Sequence, residues 1–322
     1  VAGRVIVSAP AHLHAGNVDL HGGLGRLYGT LGFTIAQPRH VAVFEPCGET
    51  RVEGPQAGLF EWAVEGLRSL YGLPGLCVRI LQAIPRGVGL GATTAAVLMA
   101  ATAYNELLGA GVSLVDAALA MGRASESGLG FHSYTRGGAL LDAGYRVDSH
   151  GYTVPPLIAR FELPEEWRFV AVLPARAVPR VREVKEREPE VLASMPQMPE
   201  EMAAALSRLL LMKLLPALAE RDLETLLEAL TEFNSRLGAE YWSRRQMGTY
   251  CCPEAEEVAS LLRRLAGGAA QSSWGPTVYT ITPSPGEAKR VAAEARRLLN
   301  RLGGGAVYVA APSNEGAKVT RL

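Results

Sequence analysis

Between Leu76 and Gly109 (LCVRILQAIPRGVGLGATTAAVLMAATAYNELLG) an extended run, three alternating glycines and a helical run follow one another without a break. Val78 and Ile80 alternate with Cys77 and Arg79 as the residues of a strand do, and Pro85 ends the extended run. Gly87, Gly89 and Gly91 fall on alternate positions. Thr93 and Thr94 offer capping hydroxyls, and the Ala, Val, Leu and Met that follow have high helix propensity. This order gathers backbone N–H groups and a positive helix end at one point, an anion site suited to phosphate or pyrophosphate. A glycine-rich connection that serves packing alone is the alternative, and glycines by themselves do not decide between the two. The Walker A pattern is excluded, because it needs Gly-Lys-Ser/Thr and the first lysine of the chain is Lys185. The Rossmann G-x-G-x-x-G spacing is absent as well.

A chain of 322 residues, 48% hydrophobic and 20% charged, is long and apolar enough for two globular domains. Its formal net charge of zero gives no global field for nucleic acid or an anionic membrane, so small molecules are the expected partners. A homodimer is left open. No apolar run approaches membrane-spanning length and the first residues lack a signal-peptide core, which makes the cytoplasm the expected location. Cys47, Cys77, Cys251 and Cys252 show no C-x-x-C pair and are expected as reduced thiols.

Residues 4–9 read as a strand. The next segment, AHLHAGNVDLHGGLGRLYGTLG, carries glycines at 16, 22, 23, 25, 29 and 32 and reads as tight turns, not a regular element. Strands are expected at 31–36 and 40–45 and an amphipathic helix at 59–71. Ser113 with Asp116 opens a helix that runs to about Ala124. Pro155–Pro156 and the weak periodicity of 150–165 mark a boundary between domains 1–160 and 161–322. In the second half, strands near 168–173, 277–282 and 306–311 alternate with helices near 200–219, 222–234, 253–266 and 286–302. That alternation predicts a split β-α-β layer with helices on one face of a mainly antiparallel sheet. The charged connector 176–199 reads as a solvated run, with an ordered lid as the other reading.

Four segments occur in order: SAPAHLHAGNVDLHGGLGRLYGTLG, IPRGVGLGATTAA, SGLGFHSYTRGGALLDAG and AQSSWGPTVY. The second resembles the phosphate loop P-x-x-x-G-L-G-S-S-A-A of the GHMP kinase superfamily. The other three resemble the β-ribofuranosylaminobenzene 5′-phosphate synthases of archaeal methanopterin biosynthesis, chiefly in D-L-x-G-x-L-G-R (Asp19 to Arg26) and Q-S-S-W-G-P-T (Gln271 to Thr277). The resemblance implies an α/β (α+β) two-domain fold, with the glycine loop in the N-terminal domain and a ferredoxin-like split β-α-β C-terminal domain. It also implies a pentosyltransferase that joins phosphoribosyl pyrophosphate to an aminobenzoate or hydroxybenzoate, releasing pyrophosphate and CO₂, with Mg²⁺ as cofactor. Its expected phosphate cradle is Gly87, Gly89, Leu90, Gly91, Ala92, Thr93 and Thr94. Arg26 and Arg123 stand beside glycines, where a guanidinium reaches an anion; a surface ion pair is the alternative. Asp19 is a candidate for Mg²⁺ or for the developing cation, against an Asx turn, and Thr93 is a second metal candidate. Gln271, Ser272 and Ser273 are candidates for the chemistry and Trp274 for the aromatic ring, with a packed turn closed by Gly275–Pro276 as the alternative for Ser272, Ser273 and Trp274. Asp142 is a candidate for a lesser part or a turn. His12 and His14 lie on one side of an extended segment, with His14 a substrate contact and a metal pair completed by His21 the weaker reading. Where the family usually has an arginine this chain has His12.

An ATP-dependent small-molecule kinase of the same superfamily is the rival, and a non-catalytic binder of phosphorylated ligands is a third reading. Against the kinase, Ser127–Gly138 holds no acidic residue, no lysine precedes Lys185, and Ala92 replaces the loop's first serine. Phosphoryl transfer depends on such charged groups, so efficient ATP phosphotransfer is not expected.

Overall fold

The structure is a computed structural model that describes residues 3–149 and 153–322. Of the 150–165 boundary region, residues 150–152 therefore lie outside the described residues. The first half runs β1 (Val5–Asp19), β2 (Arg26–Cys47), β3 (Arg51–Glu53), α1 (Ala57–Tyr71), β4 (Gly75–Gln82), α2 (Ala92–Leu108), α3 (Leu114–Ala120), α4 (Leu129–Thr135), β5 (Ala139–Asp142), β6 (Tyr145–Arg146) and β7 (Leu157–Phe161). The second runs β8 (Arg168–Pro174), α5 (Val178–Glu186), α6 (Glu188–Ala193), α7 (Glu200–Leu209), α8 (Leu215–Glu220), α9 (Leu223–Arg236), α10 (Pro253–Ala266), β9 (Ala270–Gln271), β10 (Val278–Thr282), α11 (Pro285–Arg301), β11 (Gly305–Ala310) and β12 (Lys318–Arg321).

One sheet has the order β12-β1-β2-β4-β3, with β5 and β6 on β2 and β7 on β5. The other is four-stranded, β11-β8-β10-β9, and antiparallel throughout. Alternation along its strands splits two cores. Val170, Val172 and Val278 face the cluster built on α10 and α11, whereas Phe169, Ala171, Leu173, Tyr279 and Ile281 join the core of the first sheet. There Phe33 of β2 meets Phe169 and Tyr279 at 5.5 and 6.2 Å between ring centroids. Residues of the C-terminus return to the first sheet, where Lys318–Arg321 pair with Ser8–Val5.

Four expectations need correction. The glycine-rich segment after residue 10 is not a run of turns. It is a long hairpin in which Ala11–Asp19 pair with Ile35–Tyr28, and only the tip between Asp19 and Arg26 is a loop. Glycines hide the alternation there because register shifts at Pro10/Ala11 and His14/Gly16 interrupt it. Thr93 and Thr94 do not cap α2. Gly91, at φ 80°, is the N-cap, and both threonines lie in the first turn. Cys47 and Cys77 are not free thiols: they sit on the paired strands β2 and β4 with Cα atoms 5.6 Å apart and form a disulfide. Finally, one helical stretch, Glu200–Glu220, is long and apolar enough to cross a membrane by length and composition. Its Ala203, Leu206, Leu210, Leu214, Ala217 and Leu218 are buried in the protein core. Arg208 and Lys213 break the apolar run in the sequence.

Candidate active site

The loop between β4 and α2 is shaped by its glycines. Gly87, Gly89 and Gly91 have φ of 80, 82 and 80°, a conformation that costs any residue with a Cβ about 1–2 kcal/mol. Its carbonyls face protein. The Thr277 hydroxyl donates to Val88 O at 2.7 Å, the Ser272 hydroxyl to Gly89 O at 2.6 Å and the His12 N–H to Leu90 O at 3.3 Å. In a planar trans peptide the following N–H points the opposite way, so Gly89, Leu90 and Gly91 turn their N–H groups away from those partners. Gly87, Gly89, Leu90, Gly91, Ala92, Thr93 and Thr94 all line one cleft of about 910 Å³. A row of N–H groups at the start of a 17-residue helix is an anion cradle.

Two segments distant in sequence clamp this loop. On β1, the His14 N–H donates to the Ser272 hydroxyl at 2.8 Å, and the His12 ring packs against Gly91, where a Cβ would collide with it. On the turn after β9, Ser272 is fully buried between Gly89 and His14, while Gln271, Ser273 and Trp274 line the cleft. Gln271 braces the turn: its amide oxygen accepts from the Cys251 N–H at 2.7 Å and its amide nitrogen donates to Ser273 O at 2.9 Å. Trp274 packs edge-on against Trp242, centroids 4.7 Å apart. Crowding on the cleft floor pushes His12 down to about 3 and His14 down to about 4, by desolvation first. His14 and the cations of Lys185 and Arg123 add to the shift at His12, and Lys185 adds to it at His14. Both imidazoles are neutral at pH 7.

The remaining sequence candidates divide. Arg123 lines the cleft, its Nε donating to the Thr94 hydroxyl at 3.3 Å. Arg26 lies outside the cleft lining and donates to Gly144 O at 2.9 Å. Asp19 is outside it too. One of its carboxylate oxygens accepts from the His21 and Gly22 N–H groups at 2.7 and 3.0 Å, the Asx turn that closes the hairpin tip. His21 sits at the same tip, and among the described residues no group of three His, Cys, Asp or Glu is placed to hold a metal. Asp142 is buried beneath the hairpin and accepts from the N–H groups of Thr30, Gly128 and Gly144. Burial pushes its carboxyl up to about 6, with those three donors and Ser127 pulling the other way.

Several lining residues were not singled out from the sequence: Arg86, Glu126, Arg182, Lys185, Asn234 and Trp242. Arg86 lies inside the segment IPRGVGLGATTAA and Glu126 directly precedes SGLGFHSYTRGGALLDAG, so proximity in sequence is the signal that finds them. Arg182 and Lys185 belong to the connector, which forms α5 and α6 and walls the cleft where a solvated charge run was expected. Asn234 anchors the clamp from α9, donating to Ala15 O and Gln271 O and accepting from the Gln271 N–H.

The N- and C-terminal models of the GHMP kinases match residues 58–139 and 214–301, together just over half of the chain. The β-ribofuranosylphenol 5′-phosphate synthase of Methanothermobacter thermautotrophicus is 28% identical over 98% of both chains. That of Archaeoglobus fulgidus is 29% identical over 85% of this chain and 87% of its own. Among solved structures, homoserine kinase from Cytophaga hutchinsonii superposes with a TM-score of 0.65 at 18% identity, covering 98% of this chain and 97% of that one, a likeness of fold alone. With both domain models in order and synthases as its full-length relatives, the chain belongs to the GHMP kinase family and is a synthase-like enzyme of it.

Proposed function

We propose that the cleft joins phosphoribosyl pyrophosphate to a hydroxybenzoate or aminobenzoate, releasing pyrophosphate and CO₂, as a step of methanopterin biosynthesis. The observation that carries the reading is the orientation of the loop. Its carbonyls are tied into the protein, and its N–H groups turn away from those ties in a cleft that also holds Arg86, Arg123, Arg182 and Lys185. Full-length likeness to synthases supports the choice of a ribosyl donor over ATP, and the phenol in the name of those relatives supports a hydroxybenzoate.

In this reaction the bond from ribose C1 to the pyrophosphate oxygen breaks and its electron pair leaves with pyrophosphate. The ring carbon that carries the carboxylate bonds to C1. The bond from that carbon to CO₂ then breaks, and its electron pair restores the aromatic ring. The loop N–H groups and Arg123 hold phosphoryl oxygens, and the aromatic acid stacks on the fixed Trp274 face. Glu126 and Glu186 provide the negative charge of the lining for the electron-poor C1. Neutral His12 and His14 can hydrogen-bond a phosphate or sugar oxygen without adding charge to the floor. Oxygen donors for Mg²⁺ are present in the Thr93 hydroxyl and these two glutamates, one or two carboxylates plus phosphates being its usual set. Bound there, Mg²⁺ would neutralise the leaving pyrophosphate. Asp19 does not fit this part, since its carboxylate closes the hairpin turn.

The test is pyrophosphate release from phosphoribosyl pyrophosphate with each benzoate, run beside Mg-ATP with mevalonate, homoserine, shikimate and sugar acceptors. Benzoate-dependent pyrophosphate release is expected, without acceptor-dependent ADP formation. Lys185 gives the kinase arm its point: the chain has no earlier lysine, yet this one reaches the cleft from the connector. Robust ADP formation would install the kinase reading; binding of phosphorylated ligands without either turnover would install the non-catalytic one.

A further inference from the structure

The cations of the cleft come in two sets from different parts of the chain. Arg86, the loop N–H groups and Arg123 belong to the first half, with Arg123 fixed to the first turn of α2 through Thr94. Arg182 and Lys185 come from α5, three residues apart and hence neighbours on one face of the helix. That helix is held in place. Val181 is buried in the second core with Val184 against it, and Arg180 pairs with Glu254 at 3.6 Å. The connector beyond it is also tied down: Arg245 donates to Ser194 O, Tyr241 to Pro196 O and Gln197 to His21 O. Among the described residues four cationic side chains line the cleft against two carboxylates, Glu126 and Glu186, and the histidines there are neutral. A phosphate on the loop is met by the loop N–H groups and Arg123, and α5, whose Lys185 also acts on His12 and His14, adds positive charge beyond that.

We propose that Arg182 and Lys185 form a second phosphoryl subsite, so that the cleft selects a sugar carrying two phosphoryl ends, one on the loop with Arg123 and the other on the connector. This rests on the ribosyl-donor reading and adds which residues read the second end. It makes the connector a determinant of specificity: a ligand with one phosphoryl end is held by the loop alone, and one with two spans both walls.

The experiment is calorimetric titration of the wild type, Lys185→Met and Arg182→Met with phosphoribosyl pyrophosphate and with ribose 5-phosphate, the fold checked by circular dichroism. Methionine keeps the aliphatic stem, and Lys185→Arg serves as the conservative rescue. Wild-type protein should bind the doubly phosphorylated sugar more tightly than the singly phosphorylated one. Each Met variant should lose about tenfold or more on the former and less than twofold on the latter, and Lys185→Arg should restore most of the loss. Equal losses on both ligands, or no loss on either, would overturn the second subsite. Binding needs no turnover, so a protein that shows this pattern yet releases no pyrophosphate with any benzoate keeps the subsite and loses the proposed reaction.

Discussion

Two glycine-rich stretches of this chain look alike in sequence and differ in what their backbones do. The hairpin tip, Asp19 to Arg26, and the loop Gly87 to Gly91 both crowd glycines beside an arginine. Gly25 and Gly89 even share the same φ of 82°. At the tip the polar groups are used up within the protein: Asp19 accepts from His21 and Gly22, Arg26 donates to Gly144 O, and the carbonyls of Leu20, His21 and Gly25 accept from Met198, Gln197 and Val147. In the loop the carbonyls are likewise taken by distant residues, Ser272 and Thr277, but the N–H groups turn away from that clamp in residues that line the cleft, which no residue of the tip does. Glycine density marks a tight backbone; whether that backbone lines a cleft with its N–H groups turned from their protein partners decides whether it is a site.

The largest expected effect comes from placing the same methyl group in both stretches. At Gly89 a Cβ would run into the Ser272 carbonyl oxygen, a backbone atom that cannot move without unseating the clamp. At Gly25 nothing lies within 4 Å. Gly89→Ala should therefore cost about 3 kcal/mol or more and abolish phosphate binding, whereas Gly25→Ala should cost about 1 kcal/mol, the left-handed strain alone. Thermal unfolding measures the first quantity and calorimetry with ribose 5-phosphate the second. Equal costs at the two positions would mean that the loop is not braced as the hydrogen bonds indicate.

The pH dependence of stability separates the two regions next. His12 and His14 under the loop are lowered from 6.5, so the folded state binds fewer protons than the unfolded chain between about pH 6.5 and 3. Their contribution is complete above pH 6.5 and is lost as pH falls through that window. Asp142 under the hairpin is raised from 3.8 to about 6, which reverses the sign. Its contribution is complete below about pH 4 and is lost as pH rises through 6. Wild-type stability should thus fall on acidification from pH 6.5 to 4, by on the order of 4 kcal/mol from these three groups, the histidine loss partly offset by the Asp142 gain and the buried His40, also lowered, adding to the loss. Chemical denaturation across that range should give a shallower slope for His14→Gln and a steeper one for Asp142→Asn. The opposite changes would place the titrating burden on other groups.

The same contrast explains how far the sequence could be read. Elements fixed by local chemistry were legible: α10 spans Pro253–Ala266 as its periodicity predicts, and Ser113 accepts from the Asp116 N–H as its spacing predicts. The loop and the Gln271–Thr277 turn each stand out as motifs in the sequence, and the structure puts them in hydrogen-bond contact. What could not be read depended on pairing across distance. The hairpin's alternation was masked by bulges, and the Cys47–Cys77 bridge joins strands whose register no local pattern gives. Arg182 and Lys185 sit in a run of charge that looks solvated until α5 docks through Val181.

The smallest expected effect, and the finest test of the comparison, is the exchange of its two arginines for methionine. Arg123 lines the cleft from beside the first turn of α2, where a second anion-binding group adds to the loop N–H groups. Arg123→Met should weaken phosphoribosyl pyrophosphate by about tenfold, the size of one charge-assisted contact, with the benzoate unaffected. Arg26→Met removes one donor from Gly144 O and nothing from the cleft lining, so affinity for either ligand should change by less than twofold. The loss should appear in stability instead, at about 1 kcal/mol. Calorimetry for affinity and thermal unfolding for stability, on both variants, separate these outcomes. If Arg26→Met weakens phosphate binding as much as Arg123→Met does, the hairpin tip is part of the site after all. The ligand would then have to draw the tip toward the cleft, because the Arg26 guanidinium is held on Gly144 O, outside the cleft lining.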